Sequence, residues 1–221
     1  MKPFVGIFDD VVTRVALIDR LYYLMNDQGC TLGTGSFISL EEVQDGFAYT
    51  NEIDYIVKEL TRSIWLDKLS FFLNSQPKEP QGFEVWVNSL PQDNFNCSNL
   101  AGGNGGLNYH VDKDEVALTE RGELYLPIFA TALYLGPKEG INGGELMINT
   151  RGLGHLEEYS NKGGGLIDLG EHEGWLEVPF QYNRMAVFDP SFPHFVKPVI
   201  AYPADRKRLA IAINVWDRKL G

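Results

Sequence analysis

The chain has 221 residues and a mass of 24.9 kDa, with 44% hydrophobic and 12% aromatic residues. This is enough for one domain with a sizeable core and far from the composition of a disordered segment. Nineteen Lys and Arg against thirty Asp and Glu give a formal charge of −11, which argues against nucleic acid as the main partner, because phosphate recognition needs a basic face. Cys30 and Cys97 are the only cysteines, too few for a disulfide framework or a cysteine-based zinc site. Acidic residues arrive early, at Asp9 and Asp10, unlike a secretory signal, and no apolar run approaches the roughly 20 residues of a bilayer span. The expectation is a soluble, cytoplasmic protein with no membrane partner.

Val12, Val15, Ala16, Leu21 and Leu24 recur at helical intervals before Gly29 and predict a first helix. A longer amphipathic helix is expected from Thr50 or Asn51 as cap, with Ile53, Ile56, Val57, Leu60, Ile64 and Leu69 as its stripe and Pro77 closing the region. Both stripes read as packing faces. From Phe83 the apolar period changes to two, and strands are predicted at 83–90, 107–112, 125–135, 145–149, 176–180, 184–188, 195–199 and 208–216. No long helical pattern separates them, which argues against a parallel sheet. The expected fold is mainly β with N-terminal helices: a double-stranded β-helix, or jelly roll, over 83–216, braced by two or three helices from a support region over 1–80. One domain covering 1–221 suffices. The runs "GGNGG" and "GGG" lack the strand-to-helix context of a nucleotide fingerprint.

The chain has four histidines, and one lies in "LNYHVDKDE". His110 and Asp112 are two apart on a predicted strand, so both side chains leave the same face and can reach one ion. In "RMAVFDPSFPHFVKPV", His194 opens a later strand that can return to the same cavity. Two imidazoles and one carboxylate make a facial triad with open positions, the arrangement suited to non-haem Fe(II), whereas zinc more often keeps a closed site. In "RKRLAIAINVW", Leu209, Ile211, Ile213 and Val215 share one strand face and Arg208, Ala210, Ala212, Asn214 and Trp216 the other. A face with an arginine and two alanines suits a cavity wall, on which the guanidinium can grip a carboxylate in two-pronged fashion. Arg206 has the same parity and is the rival of Arg208. A divalent ion, Asp112, a 2-oxoglutarate dianion and Arg208 sum to zero charge, which an apolar cavity can bury without a large solvation cost.

With "LNYHVD", "ALYL" followed by "GGEL", "RMAVFDPSFPHFVKPV" and "RLAIAINVW", the chain resembles the iron(II)- and 2-oxoglutarate-dependent dioxygenases of the prolyl 4-hydroxylase-like branch. The resemblance covers about Phe83 to Trp216, and "FDDVV" near the start is similar to the segment that leads into the first helix of many members. It implies Fe(II) held by His110, Asp112 and His194, 2-oxoglutarate anchored by Arg208 with Tyr134 as a further hydroxyl, dioxygen as oxidant, and ascorbate or a similar reductant as an aid. The implied reaction hydroxylates an unactivated C–H bond of an amino acid, peptide or protein side chain, proline-like by analogy, and releases succinate and CO2. Desaturation or ring closure would use the same residues. Asp112 argues against a halogenase, since those relatives lose the carboxylate. Two alternatives stand beside this reading: a cupin-like metal protein that does not use 2-oxoglutarate, and a non-catalytic 2-oxoglutarate sensor.

The remaining polar features read as loops. His155 and His172 lie in a Gly-, Glu- and Asp-rich stretch, 150–175, expected to be solvated. That stretch and "PQDNFNCSNLAGGNGG" are long enough to cover the iron as lids that choose the substrate. Asp114 and Glu115 are expected as exposed turn carboxylates. Trp86 and Asn88 line the pocket, or Trp86 belongs to the core.

Overall fold

The computed structural model describes residues 3–29, 36–45, 49–90, 107–162, 174–201, 203 and 206–220. In chain order they form β1 (Val5–Phe8), α1 (Val15–Asn26), β2 (Ser36–Ser39), α2 (Leu40–Asp45) and α3 (Glu52–Arg62). A π-helical stretch, Ser63–Lys68, leads into α4 (Ser70–Asn74). Then come β3 (Gly82–Leu90), β4 (Leu107–His110), α5 (Glu115–Arg121), β5 (Ala130–Gly136), β6 (Asn142–Gly143) and β7 (Leu146–Asn149). The chain continues through α6 (Leu153–Asn161), β8 (Trp175–Val178), β9 (Met185–Phe188), β10 (His194–Val196), β11 (Val199–Ala201) and β12 (Arg208–Trp216).

The strands build two antiparallel sheets that enclose the site. The larger is six-stranded in the order β1-β9-β5-β12-β3-β2, and the smaller is four-stranded in the order β4-β10-β7-β8. The short pair β11 and β6 stands apart from both. Neighbouring strands that are distant in sequence are the mark of a jelly roll, as expected. β12 shows why the layers separate. Leu209, Ile211, Ile213 and Val215 pack with Ile18, Leu21, Ile56, Leu60 and Trp65 of the helices. Ala210 packs with Tyr134, Leu146, Ile148 and Phe188, between the sheets.

The helices depart from the periodic reading. Val15 and Ala16 are exposed, and α1 buries Leu17, Ile18, Leu21, Tyr22, Leu24 and Met25 instead. Val12 is buried but precedes the helix, because Asn183 clamps its backbone: Val12 N–H donates to Asn183 Oδ1 at 2.9 Å and Asn183 Nδ2 donates to Val12 O at 3.0 Å. The second helix starts where expected, with Asn51 Oδ1 accepting from the Asp54 N–H at 2.9 Å. Its interruption seats Trp65, fully buried against Phe83 and Phe129, with Nε1 donating to Ile213 O at 3.2 Å.

Two helices lie where loops were expected. Asp114 is buried and caps α5, accepting from Ala117 N–H at 2.9 Å, so it is not an exposed turn carboxylate. Glu115 is exposed and pairs with Lys113 at 2.7 Å. Residues 153–161 form α6 rather than a solvated loop. Its His155 is buried against the outer face of the smaller sheet, where Tyr109 Oη meets His155 Nδ1 at 2.7 Å beside Trp175. His172 and 91–106 lie outside the described residues. Among the described residues no helix is long and apolar enough to cross a membrane.

Candidate metal centre

β4 and β10 lie side by side and antiparallel, with His110 and His194 as register partners. Their rings consequently sit 4.5 Å apart between centroids. β4 ends at His110, so Asp112 lies beyond the strand rather than on it, a correction to the 107–112 expectation. It still reaches the histidines: its Oδ1 is 3.4 Å from His110 Nε2 and 3.7 Å from His194 Nε2. One ligand atom from each of the three residues falls within 4.8 Å of the others.

Surrounding groups set the orientation and charge of this triad. The carbonyl of Phe192, 3.2 Å from His194 Nδ1, can only accept, so Nδ1 carries the hydrogen and the Nε2 lone pair turns toward Asp112. Burial, with the neighbouring His110, pushes His194 down to about 4, leaving it a neutral donor at physiological pH. Burial alone would raise the Asp112 carboxyl. The attraction of His194, with hydrogen bonds from His110 and from Asn214 Nδ2 (3.0 Å to Oδ2), holds it below its usual range. Two imidazoles and a carboxylate, with one ligand atom each within reach of the others, are a donor set that could hold a divalent first-row ion.

The triad borders a cavity, and Asp112, His194, Trp86, Asn88, Ala210, Ala212 and Arg208 are among the residues that line it. Trp86 and Asn88 thus face the site, not the core. Arg208 is 1% exposed; its guanidinium lies 5.1 Å above the Tyr134 ring, and Nε donates to Gly144 O at 2.9 Å. Its Nη1 is buried with no hydrogen-bond partner among the described residues. A buried cation with an unanswered donor is costly, and a ligand carboxylate would relieve it. Tyr134 is fully buried and donates its hydroxyl to Val178 O at 3.0 Å. Arg206, the rival, is exposed and 3.7 Å from Asp27.

Gly144 makes room for the arginine. Its φ is +74°, and a Cβ there would meet Arg208 Cδ at 2.9 Å and Nε at 3.0 Å. Gly144→Ala is expected to cost about 1–2 kcal/mol from the left-handed backbone alone and to displace the guanidinium. Chemical denaturation checks the first effect, and a weakened 2-oxoglutarate affinity by calorimetry checks the second.

Glu84 stands in register with Asn214 and accepts from Trp216 Nε1 at 3.2 Å. Burial, with the charge of Asp112, pushes its carboxyl up to about 7. At Glu84 the folded state therefore binds more protons than the unfolded state between the ordinary carboxylate value and about 7. The Glu84 contribution to stability thus falls as pH rises through that window, opposite in sign to that of the lowered His194. The loss can reach about 3 kcal/mol in metal-free protein. Urea denaturation at pH 5 and pH 8 in wild type and Glu84→Gln isolates it: wild type should lose more stability, or gain less, than Glu84→Gln between the two pH values.

The structure brings together His110, Asp112, His194 and, across the cavity, Arg208 with Tyr134. Sequence reasoning missed Asn214, the Phe192 carbonyl, Glu84 and Gly144. Asn214 was placed on the correct strand face, and a polar amide on an otherwise apolar buried strand was the available signal.

No model of a known family matches the sequence, and no curated protein matches it either. Solved structures do match. A prolyl-4-hydroxylase from Pseudomonas putida superposes with a TM-score of 0.54 at 14% identity, over 98% of this chain and 90% of that one. An oxidoreductase of the 2OG-Fe(II) oxygenase family from Burkholderia pseudomallei gives 0.51 at 12% identity, over 98% and 86%. The fold is that of the 2-oxoglutarate/iron(II) oxygenases. HygX from Streptomyces hygroscopicus, with nickel and 2-oxoglutarate bound, gives 0.53 at 13% identity, over 96% of this chain and 82% of that one. Identities this low carry the oxygenase fold alone.

Proposed function

We propose that the protein is an Fe(II)- and 2-oxoglutarate-dependent oxygenase, one domain over 1–221, that hydroxylates an unactivated C–H bond of an amino acid, peptide or protein side chain. The observation that carries this reading is one cavity lined by Asp112 and His194 of a convergent His-Asp-His triad and by a buried, under-satisfied arginine. His110, Asp112 and His194 would hold the iron, whose open positions supply the activation of dioxygen. Arg208 would take the far carboxylate of 2-oxoglutarate in a charge-assisted pair, and the Tyr134 ring beneath holds the guanidinium in its plane. The phenol can serve the same carboxylate only by giving up part of its bond to Val178. Ala210 and Ala212 leave space between the two ends, and Trp86 with Asn88 provides the wall against which a substrate would rest. A proline-like substrate is favoured by likeness to the prolyl-4-hydroxylase fold. Succinate and CO2 would be the co-products.

The test is an anaerobic titration of the metal-free protein with Fe(II) and then 2-oxoglutarate. A weak visible charge-transfer band that needs both components is the expected result. Iron binding without such a band would overturn the co-substrate assignment and leave a cupin-like metal protein.

A further inference from the structure

Asp112 lies past the end of β4, so the alternation of a strand does not set the direction of its carboxylate. Asn214, fully buried on β12, does have its orientation set. Its Oδ1 accepts the Thr131 N–H at 2.9 Å, which assigns the other end of the amide as the donor. That donor reaches Asp112 Oδ2 at 3.0 Å. Glu84, the register partner of Asn214 on β3, is held by Trp216 Nε1 at 3.2 Å. Thr131 is held in turn, its Oγ1 accepting from Ile213 N–H at 2.8 Å. The chain of bonds thus runs from the backbones of β5 and β12 to one oxygen of Asp112 and leaves Oδ1 turned toward both histidine Nε2 atoms.

We infer that Asn214 is the positioning residue of the metal centre: its amide pins Asp112 Oδ2 so that Oδ1 faces the ion, and the Thr131 N–H on β5 fixes which end of the amide turns to Asp112. The inference rests on the metal reading proposed above. A ligand carboxylate left to rotate loses affinity even though it remains present, because the ion must then order it.

The test measures Co(II) binding to metal-free protein, followed by the visible d–d absorbance of the bound ion, in wild type, Asn214→Ala, Asn214→Asp and Asp112→Ala. Thermal melts verify that each variant is folded at the titration temperature. Asn214→Ala is expected to raise the Co(II) dissociation constant about 10- to 100-fold and to move the band toward that of Asp112→Ala. Asn214→Asp keeps an acceptor for the Thr131 N–H and, ionised at pH 8, presents no donor to Asp112; the same altered band is expected there. It decides the question if the alanine variant does not fold. A purely structural role would lower the melting temperature and leave the affinity and band of the folded protein unchanged. Wild-type affinity and band in either folded variant would overturn the inference. Failure of wild type itself to bind Co(II) would instead overturn the metal reading, and this inference with it.

Discussion

In His194→Ala, the absorbance band that wild type develops with Fe(II) plus 2-oxoglutarate should be absent, and Fe(II) affinity should fall by at least 100-fold. The triad has one ligand atom per residue within a 4.8 Å span, so removing one leaves two donors, too few to hold a labile divalent ion. His194 is also the best-prepared of the three. Burial and His110 hold it at about 4, so no proton competes with metal near neutrality, and the Phe192 carbonyl keeps Nε2 available. The fold should tolerate the change, since a buried polar ring is replaced near a cavity rather than in the helix-packed core. Circular dichroism together with an anaerobic iron titration checks both halves. A triad variant with wild-type iron affinity would remove the metal centre from the account.

Arg208→Ala should separate iron binding from co-substrate binding. Iron affinity is expected to stay near wild type, while 2-oxoglutarate affinity falls by roughly 100-fold, the equivalent of about 3 kcal/mol for a desolvated, charge-assisted pair. Stability without co-substrate should change little, because the substitution removes a buried cation whose Nη1 has no partner among the described residues. Arg206→Ala is the control: its side chain is exposed and faces Asp27 at 3.7 Å, and surface pairs of that kind contribute little. Calorimetric titration with 2-oxoglutarate distinguishes the two arginines. Equal losses in both variants would count against Arg208 as the anchor. Succinate release in wild type would further exclude a sensor that binds without turnover.

Strand content was legible because it is local. A period of two over 208–216 is enough to divide β12 into a helix-packed face and a cavity face, and the structure follows that division residue by residue. The convergence of His110, Asp112 and His194 was legible for a different reason: histidine is scarce in this chain, with four copies, and two of them fall in strand contexts. The first helix was read less well, since an exposed Val15 has the same hydrophobicity as a buried one, and only the sheet decides which face is covered. Residues 153–161 read as a loop because their glycine and acidic content hides one apolar face. That face became helix by docking His155 and Leu156 onto Tyr109 and Trp175.

By itself, then, the sequence determined the strand period and the two faces of β12, properties of neighbouring residues, and offered His110, Asp112 and His194 as candidate donors. Only the tertiary structure decided how the donors are aimed. Asn214 reaches Asp112 across 102 positions of chain, Gly144 leaves space for Arg208 from a separate strand connection, and Arg208 rather than Arg206 is the one enclosed. Such contacts arise from sheet register and closure, which bring distant segments together through many weak pairings, and no single stretch of sequence encodes them.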